Sequence, residues 1–353
     1  MKKFITVLLA ACLFTIGAFA QTLPISMQAR SALKPANAVN PVIEGISSTT
    51  GLPIDPNRPY CPIITTIDNN QYALPHWGVA DADIMYEMPI QGSGWTRLLA
   101  LFSDKYPEEA GPVRSARTMH LNLNEEWGGA FCHYGSQEKA GSSVKERSRE
   151  LGLKQKGLDF EGIGTSSYEG KYFVRVNYRP APHNVSLYVN KLYLEEIAPL
   201  GHSYMPRPFL FTDEKPATGV DAASFTLNHK NNRNTEATYT YDAGKNSYVR
   251  STTAKGLYTD LKGDGAPIEY ANVIVQRTEL TFNNSTMAPL LPNVVGQGAA
   301  DIFTGGKYIA GSWSRDSLQS RTIFYDENGE ELLMQRGKSW ICLTDAESTI
   351  TLN

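Results

Sequence analysis

From about residue 223 onward the chain reads as short runs of β-forming residues, each closed by a turn signal. The runs are 223–229, 238–242, 247–251, 272–277, 299–303, 308–313, 321–325, 331–334 and 339–343. Gly305-Gly306, Asn328-Gly329 and Arg336-Gly337 fall between them, where tight turns favour residues that accept positive φ. This pattern admits a sheet-built region and little else. Before about residue 206 strand and helix patterns alternate. The expected fold class is therefore an α/β N-terminal domain followed by a mostly β C-terminal domain, α+β overall. Four parts are expected: a signal peptide at 1–20, a flexible tether at 21–59, an α/β domain at 60–205 and a β-rich domain at 221–353.

The N-terminus carries an export signal. Lys2 and Lys3 precede a nearly unbroken apolar run to Ala20, and Ala18-Phe19-Ala20 forms a small-x-small cleavage pattern before Gln21. Leu9-Ala10-Ala11-Cys12 also has the form of a lipobox, which would lipidate Cys12. Either route leads to an extracytoplasmic protein, with membrane contact expected only through a lipid anchor at Cys12. No later stretch approaches the length of a membrane-spanning helix. The formal net charge is −3, or −5 once Lys2 and Lys3 are removed. A mildly acidic chain without a basic run argues against nucleic acid as a partner. Cys61, Cys132 and Cys342 match no zinc spacing; Cys61 and Cys132 sit in apolar, strand-like surroundings, so buried thiols are expected there, and an exported chain permits a disulfide without demanding one.

Residues 21–59 are rich in Pro, Ser, Asn and Thr and lack periodicity, hence the tether. Strands are expected over 61–67, 84–87, 95–102, 130–134 and 172–176, and helices over 118–127, 136–151 and 185–197. In the 84–87 strand Met85 and Glu87 share one face and Ile84 and Tyr86 the other.

The N-terminal half is organised around Gly111-Pro112-Val113-Arg114-Ser115-Ala116-Arg117. Its two arginines stand three apart at an expected helix start, where free backbone N–H groups favour anions. A guanidinium grips carboxylate or phosphate with two parallel bonds. The same pair could equally hold two segments together through the chain's own acids. Other polar candidates fall where strand patterns stop: Asp68, Asp83, Glu87, Arg97, His133, Arg175, His183 and Asn184. If these ends converge, Arg97, Arg114, Ser115, Arg117, Arg175 and Asn184 would bind an anionic ligand of the cell envelope. Asp68, Asp83 and Glu87 would hold a metal, with Mg²⁺ the fitting ion. Asp68, Asp83, His133 and His183 would then be the catalytic candidates. The chain has no G-x-S-x-G elbow, no P-loop and no H-E-x-x-H.

Ile67-Asp68-Asn69, Ala82-Asp83-Ile84-Met85-Tyr86-Glu87, Thr96-Arg97, the heptapeptide at 111–117, His133-Tyr134-Gly135-Ser136 and Ala181-Pro182-His183-Asn184 resemble the YerB-like bacterial lipoproteins, a family of unknown function. Asn272-Val273-Ile274-Val275-Gln276, Gly311-Ser312-Trp313-Ser314-Arg315 and Gly337-Lys338-Ser339-Trp340-Ile341 resemble that family's C-terminal region. The resemblance implies a two-part, extracytoplasmic, usually lipid-anchored protein. A looser likeness links the strand, arginine pair and Gly-Ser turn to the LytR-CpsA-Psr phosphotransferases. It would imply a metal-assisted enzyme acting on a pyrophosphate lipid or phosphate ester. Two functions are therefore carried forward: binding of an anionic ligand without catalysis, and that phosphotransferase or hydrolase.

Overall fold

The structure is a computed structural model and describes residues 20–139, 141–165, 167–282 and 294–353. The expected signal segment through residue 19, with the lipobox cysteine Cys12, lies outside the described residues.

In the first half β1 is Gln21–Thr22, β2 Ile63–Asp68, β3 Ile84–Pro89 and β4 Thr96–Phe102. Every residue of β2, β3 and β4 is buried, as near-continuous apolar runs demand when both faces of a sheet are covered. Helix α1, Thr118–Trp127, is also buried along its whole length and stops at Gly128, which takes the left-handed conformation at φ 63°. Then come β5 (Ala130–His133), α2 (Val144–Glu150), β6 (Asp159–Glu161), β7 (Phe173–Arg175), β8 (Val185–Leu187) and α3 (Val189–Leu192). The second half supplies β9 (Ser224–His229), β10 (Ala237–Asp242), β11 (Ser247–Thr252) and β12 (Asn272–Arg277). It ends with β13 (Gly296–Thr304), β14 (Lys307–Arg315), β15 (Ser339–Thr344) and β16 (Ser348–Leu352). Among the described residues, helices thus belong to the first half and the second half is β, as the turn pattern requires.

Two helices differ from expectation. Residues 185–187 form a strand, because β8 pairs with β7 and Val113 N donates to Val185 O at 2.7 Å. The helix begins only at Val189. Helix α2 starts at Val144 rather than at 136, where Ser143 accepts from Glu146 N at 3.2 Å as the cap.

The two halves share one sheet. Its order is Val220–Asp221, β14, β13, β12, β15, β3, β4, β2, β5, β6, with Ile323–Tyr325 off β14. Strand β15 lies between β12 and β3 and runs parallel to both, so a segment near the C-terminus completes the first half. A second sheet, built on β1, β16, β9, β10 and β11, packs against it. Phe225 on β9 stacks on Phe303 on β13 with ring centroids 3.5 Å apart. Trp340 on β15 meets Tyr239, Tyr258 and Tyr270 edge-on.

Residues 21–59 do not form a free tether. Strand β1 pairs with β16, Leu23 is buried, and residues 47–50 are all buried. Arg30 Nη2 meets Asp301 Oδ1 at 2.5 Å, and its Nη1 donates to Ala300 O at 2.8 Å. Linker-like composition misled here because the segment is held by scattered polar contacts rather than by a periodic apolar face. Arg30→Ala is expected to lower stability by about 1–3 kcal/mol in urea unfolding, the usual cost of losing hydrogen bonds to a buried charge.

Candidate functional site

The heptapeptide at 111–117 is laced in by its backbone. Asp68 N donates to Pro112 O, Arg114 N to Thr66 O, Tyr134 N to Arg114 O and Ala116 N to Gly135 O. The segment therefore runs between the C-terminal ends of β2 and β5. Gly111 is needed for this approach: a Cβ there would lie 2.6 Å from Trp77 Cζ2 and 2.7 Å from Val185 O.

Asp68 ends β2 and faces Arg97, its cross-strand partner on β4. Arg97 Nη1 donates to Asp68 Oδ1 at 2.9 Å. Arg114 Nε stands 3.1 Å from Asp68 Oδ2, and His183 Nδ1 lies 2.8 Å from the same oxygen. Burial works against the Asp68 charge, but Arg97, then His183 and Arg114, hold its carboxyl below its usual range. Behind it, His76 Nε2 bonds the Asp68 carbonyl at 2.7 Å and His76 Nδ1 meets Tyr258 Oη at 2.8 Å, tying the site to the second half.

These groups line an open pocket of about 180 Å³ together with Asn70, Ile90, Gln91, Trp95 and Thr96. Arg97 is almost fully buried and its Nε has no hydrogen-bond partner. Arg114 is a third exposed. Arg117 makes no ion pair among the described residues; it turns back on its own loop, donating to Ala116 O at 2.9 Å. Burial, then Arg97 and Arg114, push its pKa down to about 10, so the three guanidiniums repel one another. Arg97 and Arg114 share the Asp68 carboxylate, and Arg117 makes no ion pair with it. The pocket therefore carries surplus positive charge beside an opening.

The remaining expected residues divide. Arg114 and Arg117 both precede α1, which starts at Thr118, so they do not lie on one helical face. Ser115 Oγ reaches Tyr134 O at 3.4 Å. Arg175 Nη1 donates to Asn184 Oδ1 at 2.8 Å, and its guanidinium lies over the Tyr134 ring. These side chains border the His183 loop but do not line the pocket.

His133 is not an available acid or base. Its Nδ1 meets Gly135 O at 2.9 Å and its Nε2 meets Asp159 Oδ1 at 3.0 Å, with Glu161 at 3.3 Å. Both nitrogens are taken, and the ring is a brace under the Gly135 turn.

The three carboxylates expected to hold a metal never meet. β2 and β4 are antiparallel, and Asp83 accepts from Ser103 beyond the far end of β4, so about six strand residues, roughly 20 Å, separate it from Asp68. Glu87 lies on the opposite sheet face from Arg97, since Met88 rather than Glu87 pairs with Arg97. There it accepts from Asn69 Nδ2 at 3.1 Å and Thr96 Oγ1 at 2.8 Å. Its other neighbours are His229 at 3.7 Å, Cys342 at 3.7 Å and Arg250 at 3.8 Å. Among the described residues Glu87, His229 and Cys342 are the one group of acids, thiols and imidazoles spaced for a metal, and the Arg250 cation beside them already answers Glu87. Arg250 is itself buried against Trp340, 4.4 Å from the ring centroid. Cys61, Cys132 and Cys342 are buried free thiols.

Asp83 belongs to a different cluster. Ser103 N and Oγ donate to its Oδ2 at 2.6 and 2.9 Å, and Asp104 N at 3.1 Å. Burial, then the Asp104 charge, push its pKa up from 3.8 to about 7. The folded protein thus keeps a proton that the unfolded chain releases. That contribution is complete below the unfolded value and fades as pH rises through the folded one. An Asp83→Asn variant is expected to melt higher than the parent near about pH 8 by about 1–3 kcal/mol, with a smaller gain near about pH 5. Thermal unfolding across pH measures it.

Sequence patterning named Asp68, Arg97, Arg114 and His183, which the fold brings together. It missed Asn70, Gln91, Trp95 and Thr96 as pocket walls. The signal for Trp95 was present: an aromatic directly after Gly92-Ser93-Gly94, at the mouth of a strand.

Comparison with known proteins is consistent with this architecture. Residues 49–198 match the N-terminal domain of a protein family of unknown function, DUF3048, and residues 225–341 match its C-terminal domain. The chain is 27% identical over 285 residues to "Putative lipoprotein YerB" of Bacillus subtilis (strain 168), spanning 79% of this chain and 80% of that one. The crystal structure of YerB protein from Bacillus subtilis superposes with a TM-score of 0.71 at 22% identity, covering 86% of this chain and 99% of the other. The chain belongs to the YerB-like DUF3048 family and carries both of its domains.

Proposed function

We propose that this is an exported cell-envelope protein whose first half binds an anionic ligand, of phosphate or glycopolymer-phosphate type, in the Asp68–Arg97–Arg114–His183 pocket. One observation carries the reading: two guanidiniums, Arg97 and Arg114, share the single Asp68 carboxylate beside an opening, and Arg117 adds its charge nearby. A self-neutralising ion-pair network would leave no surplus. Here Arg114 spends only Nε on Asp68, and a planar guanidinium has further N–H donors for a phosphate fork. Low local dielectric strengthens such contacts relative to water. Export is supported by Lys2, Lys3 and the apolar run to Ala20, and by kinship with a protein named as a lipoprotein.

The test is thermal unfolding with inorganic pyrophosphate, with and without Mg²⁺. At 100 times Kd the bound anion should add about 2.7 kcal/mol of stability. The shift should appear without Mg²⁺ and vanish in Arg114→Ala. A melting point unmoved by pyrophosphate, phosphate and teichoic-acid-type polymers alike would refute the reading.

A further inference from the structure

We infer that the same pocket is reactive: His183 accepts a phosphoryl group on Nε2 from a phosphoanhydride and passes it to water. The inference rests on the anion-binding reading above and goes beyond it.

The tautomer comes first. Asp68 is held as a carboxylate by Arg97 and Arg114 and can only accept hydrogen bonds. His183 Nδ1, 2.8 Å from Asp68 Oδ2, must therefore carry the proton. In the neutral ring that leaves the lone pair on Nε2, the reactive nitrogen. Nε2 has no protein partner among the described residues, and the ring lines the pocket with both arginines.

The ring is also fixed in place. His183 N donates to Pro180 O at 3.0 Å, Val176 N donates to Asn184 O at 2.8 Å, and Asn184 is gripped by Arg175. Pro180 and Pro182 stiffen the same turn. A nucleophile held this way loses little freedom on reacting.

Elimination among the pocket walls points to His183. Asp68 has both oxygens occupied. The Thr96 hydroxyl donates to Glu87. Asn70, Gln91, Ile90 and Trp95 carry neither a base nor a nucleophile. No wall residue is a proton donor fit to neutralise a leaving alkoxide. The fitting substrate class is therefore a phosphoanhydride, whose leaving group is a phosphate that departs without a proton. The pocket's size, about 180 Å³, is enough for a terminal phosphoryl group.

In the first step the Nε2 lone pair attacks phosphorus, and the bridging P–O bond breaks with its electron pair staying on the departing phosphate. The imidazolium so formed is balanced by Asp68, and the arginines bear the charge on the phosphoryl oxygens. In the second step water attacks phosphorus, the P–N bond breaks, and its electron pair returns to Nε2. Both of the water's protons leave on the released phosphate, and the ring is left neutral with its proton on Nδ1.

The experiment incubates the intact chain with ³²P-labelled inorganic pyrophosphate, with and without Mg²⁺, and quenches in alkali. Acid-labile, alkali-stable label mapping to His183 by mass spectrometry is the expected result. It should be absent in His183→Gln and reduced at least tenfold in Arg114→Ala. His183→Gln should keep the parent's far-UV circular dichroism spectrum and a single cooperative melt, which shows that it folds. A melting shift in the parent with no label and no phosphate release overturns this inference and leaves the binding reading standing. Label on any other residue also overturns it. Absence of the melting shift itself removes the binding reading and this inference together.

Discussion

Arg97→Ala should destabilise the protein by about 3–5 kcal/mol, the usual cost of breaking a buried ion pair from one side. The guanidinium and Asp68 are each close to fully buried, and their 2.9 Å contact joins β4 to β2 in the middle of the shared sheet. Removing it leaves a buried carboxylate with only Arg114, a third exposed, and His183 for company. The contrast with Arg114→Ala separates structure from function. Arg114 is a third exposed, so its loss should cost no more than about 1 kcal/mol in stability, as for exposed pairs. It should nevertheless remove anion binding. Urea unfolding and calorimetric titration with pyrophosphate, run on both variants, check the two halves of this expectation. Equal stability losses for the two arginines would contradict it.

Trp340→Ala should cost about 3–5 kcal/mol, as for other buried large-to-small changes at aromatic positions. Trp340 is completely buried on β15, between β12 and β3. Three tyrosines pack edge-on against it, Arg250 stacks on it, and its Nε1 donates to Glu87 Oε2 at 3.2 Å. The cavity left behind would be lined by Arg250, His229 and tyrosine hydroxyls, several already lacking hydrogen-bond partners. Because β15 joins the halves, the melt should remain a single transition at a lower temperature. Two resolved transitions, with the first half unshifted, would show that the halves fold apart.

The strands of the second half were readable because β-forming residues cluster between turns that announce themselves: 272–277 and 339–343 were placed within a residue or so. The pairing was not readable. β15 joins β3 across some 250 residues of sequence, and nothing local to Ser339 or Ile84 names the partner. The same limit governed the site. Asp68, Arg97, Arg114 and His183 could each be named from their position at a strand end or stiff turn. Which ends converge depends on strand direction. An antiparallel β2–β4 pair sends Asp68 and Asp83 to opposite edges. Period-two alternation had already put Glu87 beside Met85 rather than Ile84, but not which face carried Arg97. The segment at 21–59 escaped notice because Arg30, Asn40 and Ser47 are held by scattered polar contacts, which leave no periodic trace.

The most direct test of the anion seat is diffraction from crystals soaked in tungstate, an oxyanion with a strong anomalous signal. The account predicts a peak in the pocket bounded by Arg97, Arg114 and His183, within hydrogen-bond distance of the Arg114 guanidinium, and its loss in Arg114→Ala. A pocket empty at saturating tungstate would contradict it.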